Sequence, residues 1–317
     1  MMRLGQTIAV CSLATMATMA MGGSGDQQVV RVGPFEAIKT IAAASYSARA
    51  GATIHVDAGD YRADVTVWQK DNITIRAVGG RVRLLADGAA AEGKAIWVVR
   101  AKGMRVEGFD FVGARVPDKN GAGIRLERGT LLVQDCSFTD NENGILTSND
   151  PQVELEVVNS EFGYNGYGDG QSHNLYAGSI ARLSVTGSYS HHARVGHLLK
   201  SRAAESHIVN NRLIDGDDGT ASYELEFPNG GIAYVVGNTI AQSTRTENAH
   251  LISFGAEGYN KWPRSSLYLA NNRLVNPVPH GVLLRVMPGA DAVQTIDNVV
   301  VGYGSLPNGL PRPAASR

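Results

Sequence analysis

Along most of the chain, apolar and polar residues alternate in short runs that end in Asn, Gly or Asp, the pattern of half-buried strands closed by turns. One series has the form apolar, x, apolar, x, x, Asn or small, x, apolar. It recurs as "VELEVVNSEF" from Val153, "HIVNNRLI" from His207, "YVVGNTI" from Tyr234, "LYLANNRLV" from Leu267 and "QTIDNVVV" from Gln294. A second series interleaves with it: "AGIRLERG" from Ala122, "NGILTS" from Asn143, "HNLYAG" from His173, "GHLLKS" from Gly196, "SYELEF" from Ser222, "HLISFG" from His250 and "GVLLRV" from Gly281. Repeats are roughly twenty-five to thirty residues apart, within the range of stacked-repeat architectures.

Strands this short cannot bury a face alone, and no helical pattern lies between them to form crossovers. Stacked coils solve the problem, because each strand then pairs in parallel with its equivalent one turn later. The recurrent Asn residues suit a turn ladder, since Asn tolerates left-handed geometry and its amide bonds the next coil; ligand contact is the alternative role. A sandwich or up-and-down barrel would instead show two-residue hairpin turns, which are not the rule here.

Residues 34–61 read "PFEAIKTIAAASYSARAGATIHVDAGDY". Phe35, Ile38, Ile41, Ala42 and Tyr46 fall on one stripe and predict a helix within 35–50 that caps the open end of the stack. A capping helix leading into "GATIHVDAGDY", followed by repeated "NN" and "GN" turns, resembles the right-handed parallel β-helix superfamily of pectate and alginate lyases. The resemblance covers residues 30–303 and implies an all-β solenoid with an N-terminal helical cap.

The composition agrees with this architecture: 43% hydrophobic, 19% charged, 7% aromatic and 37 glycines among 317 residues suit many tight turns around thin aliphatic layers. A formal net charge of -1 gives no bulk attraction for nucleic acid or an anionic membrane. The start, "MMRLGQTIAVCSLATMATMAMGGSGDQQ", has one early Arg3 and then an uncharged run rich in Ala, Met and Thr. It reads as a signal peptide over 1–25 of a secreted or periplasmic protein, too weakly apolar to anchor in a membrane. A single solenoid domain then spans 26–303, and the Pro-rich residues 304–317 form a frayed tail. Removal of the leader leaves Cys136 alone, so no intramolecular disulfide is expected.

Polar density peaks around "GDGQSHNLYAG", "SYSHHARVGHLLKSRA" and "DGDDGTASYELEFPNGG". Residues about twenty-five apart become neighbours on one sheet of a solenoid, which lines up Tyr176, Lys200 and Glu224 or Glu226. Lys200 is the leading candidate base: apolar Leu198 and Leu199 and the nearby cation Arg202 favour a neutral amine. The competing reading is an ion pair of Lys200 with Glu224 or Glu226. "KSRAAESHIVNNRL" also resembles the lysine-serine stretch of β-helical alginate and chondroitin lyases, which implies the role of base for Lys200. That family's catalytic arginine falls where this chain reads "SYELEF", so Arg202 or Arg212 would take its place.

His173, His191, His192 and His197 are half of the eight histidines. They suit proton donation to a leaving oxygen or binding of sugar hydroxyls; no local pair has the one-turn spacing of a zinc protease, and no metal site is assigned. "DGDDG", Asp215 to Gly219, resembles the paired aspartates of β-helical polygalacturonases, with the Gly196–His197 dipeptide preceding the acids instead of following them. A solvated or calcium-binding turn is the alternative.

These residues together predict a polysaccharide lyase that cleaves a uronic-acid-containing glycan by β-elimination. The catalytic set is Lys200, Tyr176, His173, His197 and Arg202, and the substrate-binding set is Arg125, Asn174, His192, Arg212, Glu224, Glu226 and His250. Arg202 or Arg125 neutralises the carboxylate. The expected partner is an acidic polysaccharide or oligosaccharide, with the chain acting as a monomer. Two other readings remain open: an inverting glycoside hydrolase using Asp215, Asp217, Asp218, Glu224 and Glu226, and a non-catalytic glycan-binding module.

Overall fold

The computed structural model describes residues 27–306. The leader expected over 1–25 and most of the tail expected over 304–317 lie outside them. Within the described residues the chain is an all-β parallel solenoid of about ten turns. A complete turn lays down three short strands, as in Arg182–Thr186, Tyr189–His191 and His197–Ser201. The first two belong to a 19-stranded sheet composed of two ladders that share the long strands Thr53–Arg62 and Thr74–Leu85. The third belongs to a nine-stranded sheet.

Stacking in register places like on like: Val157, Val185, Ile208, Val235 and Leu269 are partners on successive coils, and all are buried. In the first coils the interior is aromatic. Trp68 meets Trp97 edge-on with centroids 5.3 Å apart, and Phe111, Phe138 and Phe162 stack at 4.8 Å, one strand spacing. Later coils substitute Leu213, Ile240 and Leu274.

Asn residues hold one corner. Asn210, Gly237 and Asn271 adopt positive φ. The residue after each, Asn211, Asn238 or Asn272, uses its Oδ1 to accept the backbone N–H of the coil before it. Their Nδ2 groups bond the carbonyls of Val185, Ile208 and Val235. Both polar side-chain atoms of each of these three Asn residues therefore have partners, which is the ladder role expected of them.

A short helix, Ile41–Ser47, forms inside the span expected for one, but it begins late. Residues 33–38 turn back on themselves, with Gly33 N–H donating to the Ile38 carbonyl, so Phe35 lies outside the helix. Thr40 then caps Ala43 N–H, and Asp64 accepts from Ile41 and Ala42 at 2.6 and 2.9 Å. The buried face is Ile41, Ala44 and Ser45, whereas Phe35 and Tyr46 are 97% and 86% exposed. The expected stripe was therefore out of phase. No helix among the described residues is long and apolar enough to cross a membrane.

Candidate active site

The nine-stranded sheet carries most of the expected site. Its register sets Arg125, Leu146, Tyr176, Lys200, Glu226 and Ser253 as partners on successive strands. His197, Tyr223 and His250 form a second column three residues earlier. Leu198 and Leu199 are both buried, so simple alternation breaks inside this strand and its outward positions are His197 and Lys200.

Glu226 is the junction. Its Oε2 lies 2.8 Å from His197 Nε2 and 3.3 Å from Lys200 Nζ. All three groups are largely covered, with 7% side-chain exposure at Glu226 and 14% at Lys200. Burial raises the Glu226 pKa, and the histidine and lysine more than offset it, leaving a net downward shift. His197 is lowered by burial despite Glu226, and its Nδ1 is 3.2 Å from Ser222 Oγ. A neutral His197 can thus donate through Nε2 to Glu226 while Nδ1 accepts from the serine. The His173 ring lies tilted against that of His197, with centroids 4.3 Å apart, and its Nδ1 accepts the His197 backbone N–H. Burial, followed by the neighbouring His197, Lys200 and Arg202, drives its pKa well below the ordinary histidine value.

Tyr176 is the wall between two depressions. One, of about 280 Å³, is lined by Arg125, Asn143, Asn149 and Gln171 among others; the second, of about 370 Å³, by Asn149, Ser179, Arg202, Asn229 and Lys261. Lys200 Nζ is 5.5 Å from the Tyr176 ring centroid, and Arg202 Nε donates to Tyr176 Oη at 2.8 Å. The Arg202 guanidinium is otherwise paired with both oxygens of Glu257 and bonded to Asn229, so four of its five N–H groups are engaged. It positions Tyr176, and its charge is already met by Glu257, which leaves one Nη2 hydrogen for any further acceptor.

Several expected residues fall elsewhere. Asn174 is buried in an interior ladder, bonded to Asn165, Ser190 and the His191 carbonyl. Glu224 is completely buried and faces away from Glu226, so the two do not form a carboxylate pair. His192 bonds His191 and Asp218 at another corner. Arg212 stacks on Tyr189 in the 19-stranded sheet. His250 shares the histidine column but is held by Asn248. The "DGDDG" acids diverge in environment: Asp215 is buried and accepts from Ala221 N–H, while Asp218 is exposed on His192. No group of three or more His, Cys, Asp or Glu among the described residues is arranged to hold a metal ion.

The sequence reading missed Glu257, Lys261 and Trp262. They come from the long connection "GAEGYNKWPR" after Phe254, which folds back so that Trp262 Nε1 bonds the Arg202 carbonyl at 3.0 Å. Its aromatic and cationic content in an aromatic-poor chain was the available signal.

No family model and no curated protein matches the sequence. The structure is similar to the crystal structure of pectate lyase Pel9A over 89% of this chain and 80% of that one, with a TM-score of 0.60 at 12% identity. The fold is therefore the right-handed parallel β-helix. Looser matches are ORF18 of Geobacillus virus E2 (TM-score 0.46, 13% identity, 80% and 52% covered) and the A-module of the Azotobacter vinelandii mannuronan C-5 epimerase AlgE4 (TM-score 0.33, 12% identity, 87% and 94% covered).

Proposed function

We propose that the chain is a carbohydrate-active enzyme that cleaves a uronic-acid-containing glycan by β-elimination. The observation that carries the reading is the juxtaposition of Lys200, Tyr176, His197 and Glu226 on adjacent strands of the nine-stranded sheet. In this reading Lys200 takes the proton from the carbon α to the uronate carboxylate. Glu226, bonded to Lys200 and His197 alike, exchanges that proton and holds the amine in place. The electron pair forms the ring double bond as the glycosidic bond breaks, and Tyr176 Oη–H, oriented by Arg202, protonates the departing oxygen. Lys261, which lines the depression beside Tyr176, supplies the positive charge that stabilises the carboxylate as the intermediate forms. It takes the role that Glu257 denies to Arg202.

The acidity of the proton depends on the neighbouring carboxylate, so the test is a polyuronate against the same polymer with its carboxyls reduced to alcohols. Cleavage of the acid form alone is expected. Equal cleavage of both would overturn the elimination reading.

A further inference from the structure

Arg125 is a half-buried cation without a counter-ion. Its Nε is sealed from solvent with no hydrogen-bond partner, and no ion pair forms between its guanidinium and any described residue. Three other partly covered arginines are neutralised: Arg100 by Glu92 and Glu127, Arg115 by Asp140, Arg202 by Glu257; Arg285, at the far end of the same sheet, shares the lack of an ion pair but lines none of the depressions described. Glu127 is the acid whose field reaches Arg125, yet it is already held by Lys94 and Arg100. Burial pulls the Arg125 pKa down, with only partial compensation from Glu127 and Tyr176. A covered guanidinium without an anion is unfavourable on its own, and its planar fork matches a carboxylate.

The side chain lines the 280 Å³ depression with Asn143, Asn149, Gln171 and Tyr176. Asp118, Asp169 and Lys119 also line it; neither acid pairs with Arg125, and Asp169 accepts the Gln171 backbone N–H. Register partners on successive strands lead from Arg125 through Leu146 and Tyr176 to Lys200. Three strand spacings separate the ends, about 14 Å. We propose that Arg125 receives the carboxylate of a second acidic sugar, roughly three units along the glycan from the one acted on at Lys200. The substrate class is then an unbranched run of uronates, gripped within the chain and not at a lone terminal residue. This inference rests on the acidic-glycan reading above.

The test is calorimetric binding of galacturonate and mannuronate oligomers of roughly two to six units, a range that brackets the three strand spacings, to the Lys200→Ala protein with Arg125 intact or replaced. Affinity should rise once the oligomer is long enough to reach Arg125. Arg125→Gln should weaken the longer oligomers by about tenfold or more, the effect of losing charge-assisted hydrogen bonds, while dimers bind as before. Arg125→Lys keeps the charge without the fork and should fall between. The Gln variant should melt no lower than its parent, because the guanidinium has no partner to lose. If oligomers bind but Arg125→Gln changes none of them, or weakens dimer and hexamer alike, the second-carboxylate inference is wrong and the acidic-glycan reading survives. If no oligomer of either acid binds at any length, both fall together.

Discussion

Replacing Lys200 with alanine should lower turnover of an acidic glycan by about 10²- to 10⁴-fold, the usual cost of removing a general base. Stability should change far less. Glu226 loses the lysine at 3.3 Å but keeps His197 at 2.8 Å, so its carboxylate is not left alone in a buried site. A cost of about 1 to 3 kcal/mol follows for one charge-assisted contact, which leaves a domain of ordinary stability folded. Lys200→Arg should not restore turnover, because a guanidinium stays protonated at any working pH. Turnover and thermal midpoint, measured on the same preparations, separate the two roles. An alanine variant with near-normal turnover would reduce Lys200 to the partner of Glu226 and move the search for the base to Tyr176 or His197.

Asp215 and Glu224 should make part of the stability fall as pH rises. Burial lifts the Asp215 pKa from 3.8 to about 6, against hydrogen bonding from Ala221 N–H. Burial and the nearby Asp215 lift Glu224 well above its ordinary value. Asp215 Oδ1 and both Glu224 oxygens lack partners, so each group is held best when protonated and neutral. A folded pKa above the unfolded one means the contribution is complete below the unfolded value and is lost as pH climbs through the folded value. For Asp215 the window is about pH 4 to 6 and the loss about 3 kcal/mol; Glu224 extends it to higher pH. His173 and His197, with lowered values, act in the opposite direction, so differences between proteins isolate the carboxyls. Denaturant midpoints across pH 4 to 8 should show Asp215→Asn gaining about 3 kcal/mol on the parent, with Glu224→Gln gaining further at the alkaline end. A pH-independent difference for both variants would contradict the assignment.

The coils were legible because their cues are local. The seven segments of the second series contain strands of the nine-stranded sheet, and the Asn positions of the first mark the laddered corner. Tyr176, Lys200 and Glu226 followed from the repeat length, which the register reproduces. The errors arose where direction depends on packing. Two successive buried leucines, Leu198 and Leu199, break the period of two, and the same frame turns Glu224 inward. Asn174 resembles a surface polar residue in sequence but satisfies an interior corner. His192 and Arg212 are near Lys200 in sequence, yet a short strand and a turn carry them to other faces. Arg202 looked available because Glu257, which neutralises it, is far along the chain.

Of the steps proposed, elimination itself leaves the most distinctive product. Each cleavage should create one new reducing end and one ultraviolet-absorbing unsaturated end. Parallel measurement of absorbance and reducing ends on a polyuronate digest should therefore give equal numbers of the two from the earliest time points. Reducing ends that accumulate without absorbance would identify a hydrolase and contradict elimination, and binding with neither product would leave a glycan-binding module.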